Sequence, residues 1–234
     1  MGIYELGGVL YDTFHLGVTF GREERLKREG IASLKLQTGQ RALDWGCGTG
    51  LSLKWLAHEL RAGGTIYAVD AAPAMTQRAV GRARPTDQLE YHFILRHGLR
   101  LQLPHPVDAA VASYSLGVLD PADYETAVRS LWENLTPGGR LLVLDMYVPV
   151  NRRPLARAYQ KLTMIGARWL FRQDFSQTLL PIVEQYFEPI EVRYVPSQMA
   201  VAFLGERRAD VPPLIDAGRQ EQTADRPAEP GGMP

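Results

Sequence analysis

The chain has 234 residues, 45% of them hydrophobic, with 26 Lys and Arg against 26 Asp and Glu. That is enough for one substantial core, and a net charge near zero removes the general electrostatic case for nucleic acid, which needs a basic surface to neutralise phosphates. No apolar run approaches the ~20 residues that span a bilayer, no cleavable signal pattern opens the chain, and the single cysteine, Cys47, permits no internal disulfide, so a reducing, cytoplasmic setting is expected.

In chain order, the segment Tyr11 to Arg22 precedes an amphipathic helix expected at about 23–34. A strand at 41–45 runs into Gly46-Cys47-Gly48-Thr49-Gly50 and a helix at 51–62. A second strand, 65–69, ends at Asp70 and leads to a helix at 73–83. Strands at 90–95 and 108–114, a helix at 121–135 and a strand at 140–147 continue the alternation, which implies a parallel sheet covered on both faces. Gly63-Gly64 and Pro137-Gly138-Gly139 mark returns from helix to strand. After a helix at 176–187, Ile190 to Val195 and Met199 to Leu204 flank Pro196-Ser197-Gln198 and read as an antiparallel hairpin. Residues 206–234 hold five prolines and three glycines without a useful apolar period, and are expected to be a disordered tail.

The glycine loop carries the first chemical signal. Glycine takes positive φ and lets backbone approach a ligand, as a strand-to-helix turn beneath a nucleoside cofactor requires. Twenty residues after Gly50, the Asp70 carboxylate can accept hydrogen bonds from both hydroxyls of a ribose. A dinucleotide fold wants G-x-G-x-x-G, but here the third glycine comes one residue early, at Gly50, and Leu51 holds the later place. The spacing turns the reading away from NAD. Cys47 between two glycines fits a demand for a small side chain better than a nucleophile, since no His or Asp adjoins it.

Leu43-Asp44-Trp45-Gly46-Cys47-Gly48-Thr49-Gly50 resembles motif I of the class I S-adenosylmethionine-dependent methyltransferases. Ile66 to Met75 resembles the family's second motif, and Leu135 to Val143 its Pro-Gly-Gly turn before the fifth strand, so the likeness covers residues 41 to about 147. It implies a Rossmann-like, doubly wound, mostly parallel seven-stranded sheet with an antiparallel terminal hairpin. A single methyltransferase domain would span 1–205, with an N-terminal lid and helix at 1–38 and substrate-side helices at 151–187. It further implies S-adenosylmethionine as cofactor, held by Asp44, Gly46, Cys47, Gly48, Gly50, Asp70, Ala71, Met75, His97, Gly98 and Tyr114. Asp44 would orient the loop and the cofactor's ammonium, the glycines would approach its amino-acid part, and Met75 would pack on adenine. Tyr11 and His15 are lid candidates over the transferable methyl. No metal ligand cluster is visible.

Phe93 to Pro104 departs from the family, which usually holds the adenine amino group with an acidic residue there; His97 or the Gly98 backbone are the substitutes. Asp108 is expected to be structural, and Tyr114-Ser115 to line the pocket. Beyond the fifth strand, Arg157, Lys161, Arg168 and Arg172 share one helical face while Leu155, Leu162, Ile165 and Trp169 share another, with Arg152 and Arg153 adding charge. A basic amphipathic helix over 152–172 can lie on an anionic membrane or receive an anionic or lipidic substrate. The chain looks most similar to the ubiquinone and menaquinone C-methyltransferases and bacterial phospholipid N-methyltransferases, which implies a small, lipophilic acceptor such as a quinone precursor, a phospholipid headgroup or a natural product, with a soluble small-molecule acceptor left open. Two other readings stay open: a NAD-dependent oxidoreductase, and a non-catalytic member keeping the fold as a binding module.

Overall fold

The computed structural model describes residues 22–61, 63–84, 88–146, 175–195 and 200–211. Their order is α1 (Arg22–Ser33), β1 (Arg41–Trp45), α2 (Leu53–Leu60), β2 (Gly64–Asp70), α3 (Pro73–Arg82), β3 (Leu89–Leu95) and β4 (Val107–Ser113). There follow α4 (Tyr124–Glu133), β5 (Leu135–Met146), α5 (Phe175–Tyr186), β6 (Phe187–Val195) and β7 (Ala200–Arg207). The strands form one sheet in the order β3-β2-β1-β4-β5-β7-β6. β1 to β5 pair in parallel, and β7 runs antiparallel to both its neighbours.

Central strands buried on both faces must be apolar on both, and they are. Leu43, Trp45, Tyr67, Val69, Ala110 and Ala112 pack with Tyr124, Val128 and Leu131 of α4 and Leu179 and Val183 of α5. The alternate residues Ala42, Ile66, Ala68, Ala109 and Val111 pack with Leu26 and Ile31 of α1, Leu53 and Leu56 of α2, and Ala79 of α3. Each fully buried Leu or Ile contributes about 1.5–3 kcal/mol by leaving water. Asp108 has the structural role expected of it, accepting the Arg41 amide at 2.8 Å and so tying the start of β4 to the start of β1.

Several boundaries differ from those the sequence suggests. α2 begins at Leu53 because Gly50 to Ser52 are spent on turns, with the Gly50 amide on the Cys47 carbonyl at 2.9 Å and that of Leu53 on Gly50 at 3.3 Å. β5 begins at Leu135, not 140: Val107 pairs with Leu135, and Ala109 with Arg140, so the Pro-Gly-Gly turn is looped out as a bulge, with Gly138 at φ +74°. The terminal hairpin is antiparallel as expected, with Tyr194 opposite Val201; its link at 196–198 lies outside the described residues.

β7 runs through Arg207, so the tail boundary expected after residue 205 falls inside a strand. The reason is a latch. The Arg207 guanidinium lies 4.1 Å from the Trp132 ring and donates to the Trp132 carbonyl, while the Trp132 indole donates to the Arg208 carbonyl. The proposed lid with Tyr11 and His15, the basic stretch 152–172 and the tail from residue 212 lie outside the described residues. Among the described residues no helix is long and apolar enough to cross a membrane.

Candidate functional site

Between β1 and β4 the strand order changes direction, and a crevice outside the carboxyl ends of the strands follows from that topology. Here it is a cleft of about 530 Å³, a size typical of small-molecule sites. Gly46, Cys47, Gly48, Asp70, Ala71, Met75, His97, Gly98 and Tyr114, separated by up to 68 positions in the chain, all line it. Asp44 and Gly50 do not.

The loop after β1 is held by its own bonds. The Cys47 amide donates to the Val69 carbonyl at 2.9 Å, the Gly48 amide to Asp70 Oδ2 at 2.8 Å, and the Gly50 amide to Cys47. Arg82 of α3 adds donations to the Thr49 carbonyl and hydroxyl at 3.0 and 2.5 Å. A pyrophosphate cradle needs such amides free to point at the ligand. These three are occupied, which leaves the nicotinamide alternative without support in the loop as well as in the antiparallel β7.

Three glycines here take a left-handed φ, Gly50 among them at +82°. Gly46 has φ +67°, and a Cβ there would collide with Ser115, whose hydroxyl donates to the Trp45 carbonyl at 2.9 Å. Gly48 has φ +54°, with nothing within 4 Å of where its Cβ would stand, so it faces open space. Gly50, expected at the cofactor, is instead a packing position. Its Cβ would lie 2.9 Å from Ala79 Cα, and its small size lets the loop seat against α3.

Asp70 holds the wall from two sides: Oδ2 takes the Gly48 amide and Oδ1 that of Ala72 at 2.8 Å. Each oxygen keeps a further lone pair. Asp44 lies beneath the cleft, 1% exposed, with no hydrogen-bond partner on either oxygen. Burial pushes its carboxyl up to about 7, the positive charge of Lys27 opposes that, and the charge of Asp70 reinforces it. Burial likewise raises the Cys47 thiol, with Asp44 and Asp70 adding to the effect, so the sulfur stays protonated and is no nucleophile.

At the far end, the Gly98 carbonyl accepts from the Trp45 indole at 3.1 Å and from the Ser130 hydroxyl at 3.0 Å. Both of its lone pairs are used, so that carbonyl cannot take an adenine amino group. A Cβ at residue 98 would strike the Trp45 ring, so glycine brings this segment against β1. On the β4 side, Tyr114 adopts φ +53°, a left-handed conformation uncommon for an aromatic residue, and the Ser113 hydroxyl is buried without a partner. Val118 and Leu119 give that side an apolar wall.

The sequence reading missed Lys27, Arg96, Ser113, Val118 and Leu119 in the lining. Lys27 had a usable signal, because it falls on the buried stripe of α1 beside Leu26 and Ile31. Among the described residues, no group of three or more His, Cys, Asp or Glu could hold a metal ion.

Residues 42–139 match a family model described as a methyltransferase domain. The 2-phytyl-1,4-naphtoquinone methyltransferase of Synechococcus elongatus is 30% identical over 174 residues, 72% of this chain and 71% of that protein. The demethylmenaquinone methyltransferase of Anoxybacillus flavithermus is 26% identical over 170 residues, 71% of each chain. The N-methyltransferase NodS from Bradyrhizobium japonicum in complex with S-adenosyl-L-homocysteine gives a TM-score of 0.58 at 17% identity, covering 79% of this chain and 87% of that one. Magnesium protoporphyrin IX methyltransferase from Synechocystis gives 0.60 at 17%, covering 82% and 86%. At such identities the structural likeness speaks of the fold alone.

Proposed function

We propose that this chain, which belongs to the class I S-adenosylmethionine-dependent methyltransferases, methylates a lipophilic quinone-type acceptor. The family membership makes it an enzyme with S-adenosylmethionine as cofactor. The acceptor class rests on the quinone methyltransferases among its relatives and on the apolar wall of Val118 and Leu119.

The residues present fit that cofactor on two observations. A buried carboxylate, Asp44, has no hydrogen-bond partner among the described residues, and Gly48 leaves open the space a side chain would fill. The bound cofactor supplies an activated methyl on a sulfonium leaving group, so the protein's task is chiefly proximity and alignment. Gly46 and Gly48 would let the backbone approach the amino-acid end, and Asp44 would offer charge to its ammonium. The spare lone pairs of Asp70 would accept the ribose hydroxyls, and Met75, 3% exposed, would pack against adenine. With the Gly98 carbonyl spent, His97 and Arg96 are left at the adenine end. Tyr114, Val118 and Leu119 would exclude water from the acceptor side.

Calorimetric titration with S-adenosylmethionine, S-adenosylhomocysteine and NADH tests the reading, followed by methyl transfer to a panel of demethylated quinones. Micromolar binding of the first two with transfer to a prenylated quinone is the expected result. NADH binding alone would overturn it, and transfer only to water-soluble acceptors would refute the acceptor class. The basic run Arg152, Arg153, Arg157, Lys161, Arg168 and Arg172 supports peripheral contact with an anionic membrane carrying such an acceptor, which vesicle co-sedimentation reads directly.

A further inference from the structure

A sheet of seven strands has two edges, and here they are finished differently. β6 carries Pro189, and its ladder with β7 shifts register between Pro189 and Glu191, two devices that spoil an edge as a template for another strand. β3 has neither. It pairs with β2 in unbroken register from Leu89 to Leu95, and among the described residues no strand lies on its other side.

The hydrogen bonds of β3 show which groups that side presents. The Arg96 amide donates to the Asp70 carbonyl and the Gln88 carbonyl accepts from the Gly64 amide, both at 3.0 Å. In a parallel ladder one residue directs its amide and its carbonyl to the same neighbour, so the even-numbered residues of β3 face β2. The amides and carbonyls of Tyr91, Phe93 and Leu95 therefore point away from the sheet. By strand alternation these three side chains share the face that α3 covers. There the Tyr91 and Phe93 rings stack with centroids 6.1 Å apart, and Leu95 stays 55% exposed. A row of outward-facing backbone groups beside an uncovered apolar side chain is a template for a strand.

The sequence of β3 says which strand. Two copies of one strand related by a two-fold axis run antiparallel, with the axis between two copies of one residue. An axis at Phe93 sets Tyr91 opposite Leu95 of a second copy, so that every outward-facing residue meets another. On the opposite face it sets Glu90 against Arg96 of the second copy. These are non-hydrogen-bonded positions, where facing side chains come closest. Glu90 approaches His92 of its own strand through Oε2, at 3.5 Å, so Oε1 can serve the pair across the axis. Moving the axis by one residue either way sets Glu90 against an uncharged residue, Ile94 or Gly98.

We propose that two copies of this chain associate through β3, antiparallel about Phe93, joining their sheets into one. The contact is isologous, so its two Glu90–Arg96 pairs are equivalent. Because Arg96 lines the cleft, each copy then sets its Glu90 beside the cleft of the other.

Sedimentation of the full chain over a concentration series tests this. The parent should be dimeric, and a parent that stays monomeric at high micromolar concentration overturns the proposal. Glu90→Arg sets a second positive charge against Arg96, and Arg96→Glu a second negative charge against Glu90. Like charges facing each other across strands are unfavourable, so each variant alone should have a dimer dissociation constant roughly tenfold or more above the parent's. Glu90 and Arg96 are both exposed, so the fold does not depend on either, which circular dichroism checks. Mixed in equal amounts, the two variants should associate again, because the mixed dimer restores an opposite pair at both positions. Dimers indifferent to both charge reversals, or a mixture no more associated than its components, would overturn the proposal.

Discussion

Asp44 and Asp145 are each the penultimate residue of a parallel strand, β1 and β5, and each is 1% exposed, yet their surroundings are opposite. Asp145 accepts the Gly117 amide at 2.9 Å and the Met146 amide at 2.7 Å, an approach glycine permits because a Cβ at 117 would lie 2.6 Å from Oδ1. Asp44 has no hydrogen-bond partner, and burial drives its carboxyl up to about 7. A buried carboxylate completed by backbone amides is a fastener. One left incomplete beside a cleft is the kind a ligand completes, and the contrast separates structural from functional charge where burial alone cannot.

The sharpest way to break this comparison is Asp145→Ala. It strands the buried Gly117 amide and the part-buried Met146 amide, and should cost about 3 kcal/mol in urea denaturation while leaving the folded protein's S-adenosylhomocysteine affinity unchanged. A cost below about 1 kcal/mol would mean the fastener is not one. Asp44→Asn should do the reverse. The folded pKa of Asp44 lies above its unfolded value of 3.8, so its protonated form is the one the fold favours. Its stabilising contribution is therefore full below about 3.8 and is lost as pH rises through about 7. At pH 8 the neutral variant should be more stable than the parent by about 4 kcal/mol, and near pH 4 the two should melt together, with cofactor affinity lost. A variant that destabilises equally at both pH values would remove Asp44 from the unfinished class. Asp70 stands between the two, partly completed by the Gly48 and Ala72 amides. Asp70→Ala should weaken cofactor affinity by about 2 kcal/mol, and unchanged affinity would sink its ribose role.

Much of the fold was legible because its signals are local. Apolar strand runs, the glycine loop, Asp70 and the terminal hairpin are each spelled within a few residues. The parts that escaped depend on what lies opposite. Gly50 looks like its loop neighbours, but its role is set by Ala79 on α3. That the Gly98 carbonyl is spent follows from Trp45, 53 positions earlier, and Ser130, 32 later. The start of β5 was placed late because a Pro-Gly-Gly turn reads as a terminator, whereas pairing of Leu135 with Val107 carries the strand across it. Lys27 was legible as an anomaly of the helix stripe, but the Asp44 charge it acts on lies on a strand, and periodicity within one element does not name neighbours in another.

The self-contained bonding of the loop after β1 bears on turnover. Because the amides of Cys47, Gly48 and Gly50 all end on protein acceptors, emptying the cleft strips none of them of a partner. Swapping a spent nucleoside for a fresh one therefore involves no melting and re-forming of this loop, and none of its ordering entropy has to be recovered from each new molecule bound. The glycine loop can stay rigid through every cycle, leaving any gating of the exchange to other parts of the chain.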